Sequence, residues 1–192
     1  VRHDLGRRNS LGMIYTRRSP SETGPGTNQA GGFDLLLAPT QELSVNAYAA
    51  KSSTPGTGDD DLSYRGRVDY TADLYGLEVE HLVVGDDFLP DVGLMRREDF
   101  QRSFVEGRVS RRPAASGWLR KWSLVGALDY ITDNDRTLES RSQAGTVRFD
   151  LRNGDEASVG VERSYEALSE PLELTEEHLV PVGSYGFSTV RA

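Results

Sequence analysis

Three histidines, His3, His81 and His178, are the only imidazole bases the chain offers, and it contains no cysteine. Thiolate nucleophiles, thiolate metal sites and disulfides are therefore excluded together. A serine hydrolase would need a G-x-S-x-G elbow to present its nucleophile, and the sequence has none. His81 falls between Val79 and Val83 on the apolar side of an alternating stretch, where a packed or interfacial ring fits better than a base. Glu176-Glu177-His178 lacks the second histidine of H-E-x-x-H, and GPGTNQAGG (24–32) lacks the Lys-Ser/Thr ending of a phosphate loop. Neither a catalytic set nor a metal site is expected.

Carboxylates are more abundant. Asp59-Asp60-Asp61 and Asp86, Asp87 and Asp91 form two acidic clusters in Gly/Pro-rich surroundings, the oxygen chemistry that calcium prefers. The EF-hand pattern is missing, so they read as solvated acidic loops. No cofactor is expected, calcium on these loops being the one candidate, with divalent-bridged contact to lipopolysaccharide as its variant.

The remaining charges are ordered by spacing. In the first half of the stretch Leu62–Val84, Leu62, Tyr64, Gly66, Val68, Tyr70 and Ala72 alternate with Ser63, Arg65, Arg67, Asp69 and Thr71, and in its second half Leu77, Val79 and Val83 oppose Glu78 and Glu80. Period-two alternation marks strands with one apolar and one charged face. Only Asp73 and Leu74, flanked by Ala72 and Tyr75, lie between the halves, so they form a long hairpin. The same pattern sets Trp118, Trp122, Leu124, Leu128 and Tyr130 against Lys121, Ser123 and Asp129. It also sets Val147, Phe149 and Leu151 against Arg148, Asp150 and Arg152, and after the Asn153-Gly154 turn Val159 and Val161 against Ser158 and Glu162. One charged row, facing the lumen of a barrel, is expected: Arg65, Arg67, Asp69, Glu78, Glu80, Lys121, Asp129, Arg148, Asp150, Arg152 and Glu162. Opposite charges on neighbouring strands pair across such a wall.

Further strands are expected over 9–18, 33–37, 43–51, 99–110 and from Tyr185 to Arg191. Their connections run long, short, long, short: 19–32, 52–61, 85–97 and 168–184 are long, and the turns at Pro39, Asp73, Ala114 and Gly154 are short. In an antiparallel meander alternate connections share an end, which is the layout of outer-membrane barrels. The fold expected is all-β, an antiparallel up-and-down meander of about ten strands. It forms one domain over 1–192, a transmembrane β-barrel segment cut at both ends and visible as an open, curled sheet. No run of about 18 apolar residues is present, so a transmembrane helix is not expected; barrel strands need only about 9–11 alternating residues. Tyr70, Tyr75, Trp118, Trp122, Tyr130 and Tyr165 near strand ends suit interfacial girdles. The net charge of -8 argues against a nucleic-acid partner.

One loop breaks the pattern. GDDFLPDVGLMRR (85–97) places Phe88, Leu89, Pro90, Val92, Gly93, Leu94 and Met95 inside a long connection, so it is expected to fold back as a hydrophobic tuck or to meet a partner. Its distinctive members are Asp86, Asp87, Phe88, Pro90, Gly93, Arg96 and Arg97, the two arginines being placed to meet Glu78 and Glu80.

Four segments resemble one family. DLGRRNSLGMIYTRR (4–18), YGLEVEHLVVGDDFLPDVGLMRREDFQRSF (75–104), LDYITD (128–133) and PVGSYGF (181–187) are similar to the C-terminal barrel region of the family called domain of unknown function 5916. The resemblance implies an outer-membrane barrel in a Gram-negative cell envelope, with outer-membrane lipid as surroundings. It also implies a family-9-type carbohydrate-binding module N-terminal to the barrel, absent from these residues. The expected role is a membrane anchor or passage for that module, without enzymatic activity. The alternative is a soluble β-sheet module holding an apolar or glycan ligand in its concavity.

Overall fold

In a computed structural model, all residues are described except 23–25, 94, 96, 115, 176 and 177, and of 174, 175 and 178 only the backbone. Every regular element among the described residues is a strand: β1 (Arg2–Asp4), β2 (Ser10–Arg18), β3 (Asn28–Leu37), β4 (Leu43–Ser53), β5 (Leu62–Thr71), β6 (Tyr75–Val84), β7 (Phe100–Arg111), β8 (Leu119–Thr132), β9 (Leu138–Leu151), β10 (Glu156–Leu168), β11 (Leu172–Thr175), β12 (His178–Val180) and β13 (Gly183–Arg191). Eleven of them form one sheet in the order β1 to β10 and then β13, each pair antiparallel, while β11 and β12 make a separate small hairpin. The up-and-down meander is thus the observed architecture, and it is not closed: β1 and β13 are its edges.

The strands are staggered in one direction. A single row of register partners runs Ser10, Leu36, Asn46, Arg67, Glu80, Phe104, Asp129, Ser142. It starts on the first residue of β2 and reaches β9 nine residues before that strand ends at Leu151. Measured from the other ends of the same strands the shift is four. With about 3.3 Å per residue and about 4.8 Å between strands, this corresponds to a tilt of roughly 20–40°, approaching the range of about 35–45° that barrel closure requires.

Connections 19–27, 54–61, 85–99, 133–137 and 169–182 lie at one end, and 5–9, 38–42, 72–74, 112–118 and 152–155 at the other. Long and short ends are thus separated with one exception, since 133–137 is shorter than 112–118 opposite it. Other expectations are corrected in detail. Residues 28–32 belong to β3 rather than to a loop, because Asn28 and Gly32 are buried against neighbouring strands despite their loop-like composition. The 168–184 stretch contains the hairpin of β11 and β12, and β1 precedes the first strand the sequence shows. Trp118 precedes β8 and is exposed, because the register slips between Leu119 and Lys121 and interrupts the alternation.

The two faces of the sheet differ in an unusual way. Among the described residues only Val84, Phe88 and Leu119 are buried apolar side chains, whereas Ser10, Asn28, Ser52, Ser63, Glu80, Ser110, Ser123 and Ser164 are among those buried and polar. The open face carries Leu11, Met13, Tyr15, Phe33, Tyr64, Val68, Leu77, Val79, Val105, Val109, Leu124, Val159 and Val161, each more than a third exposed. Small hydroxyls and charges fill the crowded face and large apolar groups stand outside. Ile14 and Phe187, exposed on the crowded face, belong to β2 and β13 at the margins of the sheet.

Candidate functional site

The crowded face holds a knot of ion pairs centred on Glu80. Register brings Arg67 opposite Glu80, Asp69 opposite Glu78, and Glu80 opposite Phe104. The Glu80 side chain is 7% exposed; Arg102 Nη1 donates to it at 3.0 Å, while Arg65 and Arg67 stand at 3.9 Å. Arg102 also clamps Asp129 through Nε and Nη2 at 2.6–3.1 Å. Arg67 holds Asp69 at 2.8 and 2.9 Å and Glu78 at 3.1 Å. Arg65 donates to Asn46 Oδ1 at 2.6 Å and lies 5.7 Å from the Tyr48 ring centre. Each cation serves two or more acceptors, so the knot mixes three guanidiniums with four carboxylates rather than presenting one sign of charge.

Not every residue of the expected charged row joins this knot. Glu162 lies on the same face farther along, accepting from Ser142 at 2.9 Å and facing Arg191 at 3.4 Å. Lys121 and Asp150 are register partners at the short-turn end, and Arg148 is exposed nearby. Arg152 is not in the wall: it lies in the turn 152–155, where its backbone N–H bonds Trp118 O. Arg102, the hub, was not visible in the sequence, because β7 puts Phe100 and Phe104 on the same face as Arg102, Glu106 and Arg108 and so blurs the alternation. Its spacing from Phe104 and Glu106 was the available signal.

The 85–93 segment folds across the long-loop mouth of this face as a strap. Asn28, 1% exposed, donates to Leu89 O at 2.6 Å and Thr54 Oγ1 at 2.8 Å, and accepts from Asp91 N at 3.2 Å. Ser52 accepts from Leu89 N at 2.9 Å and donates to Asp87 O at 3.3 Å. A segment that leaves β6 is thereby tied to β3 and β4. Phe88 is buried, and with Pro90, Gly93, Tyr48, Val84 and Phe100 it lines a cavity of about 310 Å³. Phe88 tucks in as the sequence implied, whereas Val92 is exposed and Leu94 lies outside the described residues. The arginine contact is a correction: Arg97 pairs with Glu139 and lies 5.3 Å from the Phe100 ring centre, while Glu78 and Glu80 are taken by other cations. Arg96 lies outside the described residues.

Asp60 and Asp87 are engaged with backbone. Asp87 accepts from Gly58 N at 3.0 Å and Asp60 N at 3.2 Å, Asp60 accepts from Asp86 N at 3.3 Å, and Asp87 N donates to Asp60 O at 2.9 Å. The two acidic clusters thus lock loops 54–61 and 85–99 together. Among the described residues no three His, Cys, Asp or Glu side chains converge as a cation's ligand set.

His81 is on the open face, with Nδ1 3.0 Å from Ser103 Oγ and its ring 6.4 Å from that of Tyr64. Glu176, Glu177 and the His178 side chain, like Gly24 and Pro25 of the glycine-rich stretch, lie outside the described residues. Aromatic side chains flank the open face at both ends: Tyr15, Tyr64, Tyr130 and Tyr165 toward the long loops, Tyr70, Tyr75, Trp122 and Phe149 toward the short turns. On β5 and β8 the two belts are six and eight residues apart, about 20–26 Å along the strand. Both belts follow the stagger of the strands.

Compared with family models, curated proteins and solved structures, the chain matches none.

Proposed function

We propose that this chain is a segment of an outer-membrane β-barrel wall, serving as anchor or passage for an attached carbohydrate-binding module. The observation that carries the reading is the inversion of the two faces: large apolar side chains exposed between two aromatic belts, hydroxyls and ion pairs covered on the other side. In water such a face would be a broad exposed apolar patch of the kind that soluble monomers rarely show. In lipid it is the solvent-facing surface, and antiparallel pairing satisfies the backbone groups that hydrocarbon cannot. The soluble alternative would leave this face in water.

The strand lengths and stagger support the same reading, and so does the segregation of long from short connections. The attached module and the Gram-negative envelope come from the resemblance to domain of unknown function 5916. The strap across the mouth and the mixed-sign wall favour the anchor over an ion-selective passage.

Vesicle flotation and a charge scan test the proposal. The chain, refolded from urea in the presence of lipid vesicles, floats with them and acquires β-sheet circular dichroism. Val105→Arg, in the middle of β7 on the open face, destabilises the lipid-bound fold by about 2–4 kcal/mol, whereas Thr146→Arg on the crowded face costs far less. A monomeric, folded chain in detergent-free buffer would refute the reading.

A further inference from the structure

The open face carries an unpaired cationic pair among its apolar groups. Near the long-loop end Tyr130, Arg141 and Tyr165 are successive register partners across β8, β9 and β10, and Arg163 stands opposite Gln143 one step inward on the same face. Arg141 and Arg163 are thus diagonal neighbours about 7–8 Å apart, and their flexible stems let both guanidinium groups converge on one anion. Among the described residues neither has an ion-pair or hydrogen-bond partner. Glu139, two residues before Arg141, is taken by Arg97, and Glu162 is on the opposite face with Ser142 and Arg191. The Tyr165 hydroxyl donates to Ser184 Oγ at 3.0 Å, leaving its ring beside the pair.

An unpaired guanidinium on a lipid-facing surface needs an anion or must reach the interface. Guanidinium groups match phosphate oxygens bidentately, and tyrosine rings mark the level at which lipid headgroups lie. The chain as a whole, at -8, repels anions; this pair is a local exception at the height where lipid phosphates are found. We propose that Arg141 and Arg163, framed by Tyr130 and Tyr165, bind the phosphate of a lipid in the leaflet on the long-loop side. The inference rests on the barrel reading above.

The full chain and its R141Q/R163Q variant are refolded in neutral maltoside micelles and titrated with dioleoyl phosphatidic acid, with dioleoylglycerol, which lacks only the phosphate, and with inorganic phosphate. Bound molecules are counted by native mass spectrometry. The unsubstituted chain retains one phosphatidic acid, at least about tenfold more tightly than the variant does. Dioleoylglycerol shows no such difference, and inorganic phosphate does not occupy the pair. Equal retention by the variant overturns the inference, as does inorganic phosphate binding as tightly as the lipid. Failure of the unsubstituted chain to prefer phosphatidic acid over dioleoylglycerol overturns it without any variant having to fold. A chain that enters vesicles without phosphate preference refutes this inference alone; one that never enters them refutes the barrel reading too.

Discussion

Replacing Glu80 by glutamine removes the one carboxylate that Arg65, Arg67 and Arg102 share, at almost constant volume. At 3.0 Å the gross attraction to Arg102 is roughly 5 kcal/mol for an effective dielectric of about 20, most of it offset by the desolvation of Glu80. Breaking a buried pair costs about 3–5 kcal/mol, but the three arginine side chains are about a third exposed and keep other acceptors. Solvent screening on that side reduces the expected loss to about 1–3 kcal/mol. Urea unfolding of the chain in detergent micelles, followed by circular dichroism, measures it. For an m-value of about 2 kcal/mol/M the midpoint falls by roughly 0.5–1.5 M. Arg102→Gln and the double variant complete a cycle whose coupling energy is expected to be about 1 kcal/mol or more. An unchanged or raised midpoint for Glu80→Gln, or a coupling energy near zero, would show that the knot contributes nothing to stability.

Asn28→Ala removes the hydrogen bonds that Asn28 donates to Leu89 O and accepts from Asp91 N; it is expected to cost about 2 kcal/mol and to make residues 85–93 the first site cut in limited proteolysis. Gly32→Ala places a Cβ 2.9 Å from Ala49 O and Ala50 Cβ, so refolding yield drops sharply. Gly126→Ala meets nothing within 4 Å and leaves both yield and unfolding midpoint near those of the unsubstituted chain. Gly154, at φ +98°, sits where L side chains are strained; Gly154→Ala lowers stability by about 1 kcal/mol, read as a reduced urea midpoint.

The alternation at Leu62–Val84 and in the strands around Leu124 and Val159 was legible because a β-strand has a fixed side-chain period of two, which local sequence carries without reference to any partner. The short turns at Asp73 and Gly154 were legible for the same local reason. Where one face mixed ring and charge, as at Phe100, Arg102 and Phe104, the period vanished and the hub of the ion-pair knot went unseen. Residues 28–32 resembled a loop because glycine and asparagine report backbone freedom, not the burial that neighbouring strands later impose.

What the sequence by itself determined is therefore one-dimensional: strand, turn, and which side chains share a face. Only the tertiary structure decided which charges meet, since Arg102 reaches Glu80 and Asp129 through pairing with two different strands. It also decided that the 85–93 segment bonds Asn28 and Ser52 rather than Glu78 and Glu80, because loop contacts depend on distances across the sheet. The stagger that tilts the strands and aligns the aromatic belts accumulates by small register shifts from strand to strand, and no single segment of the chain encodes that sum.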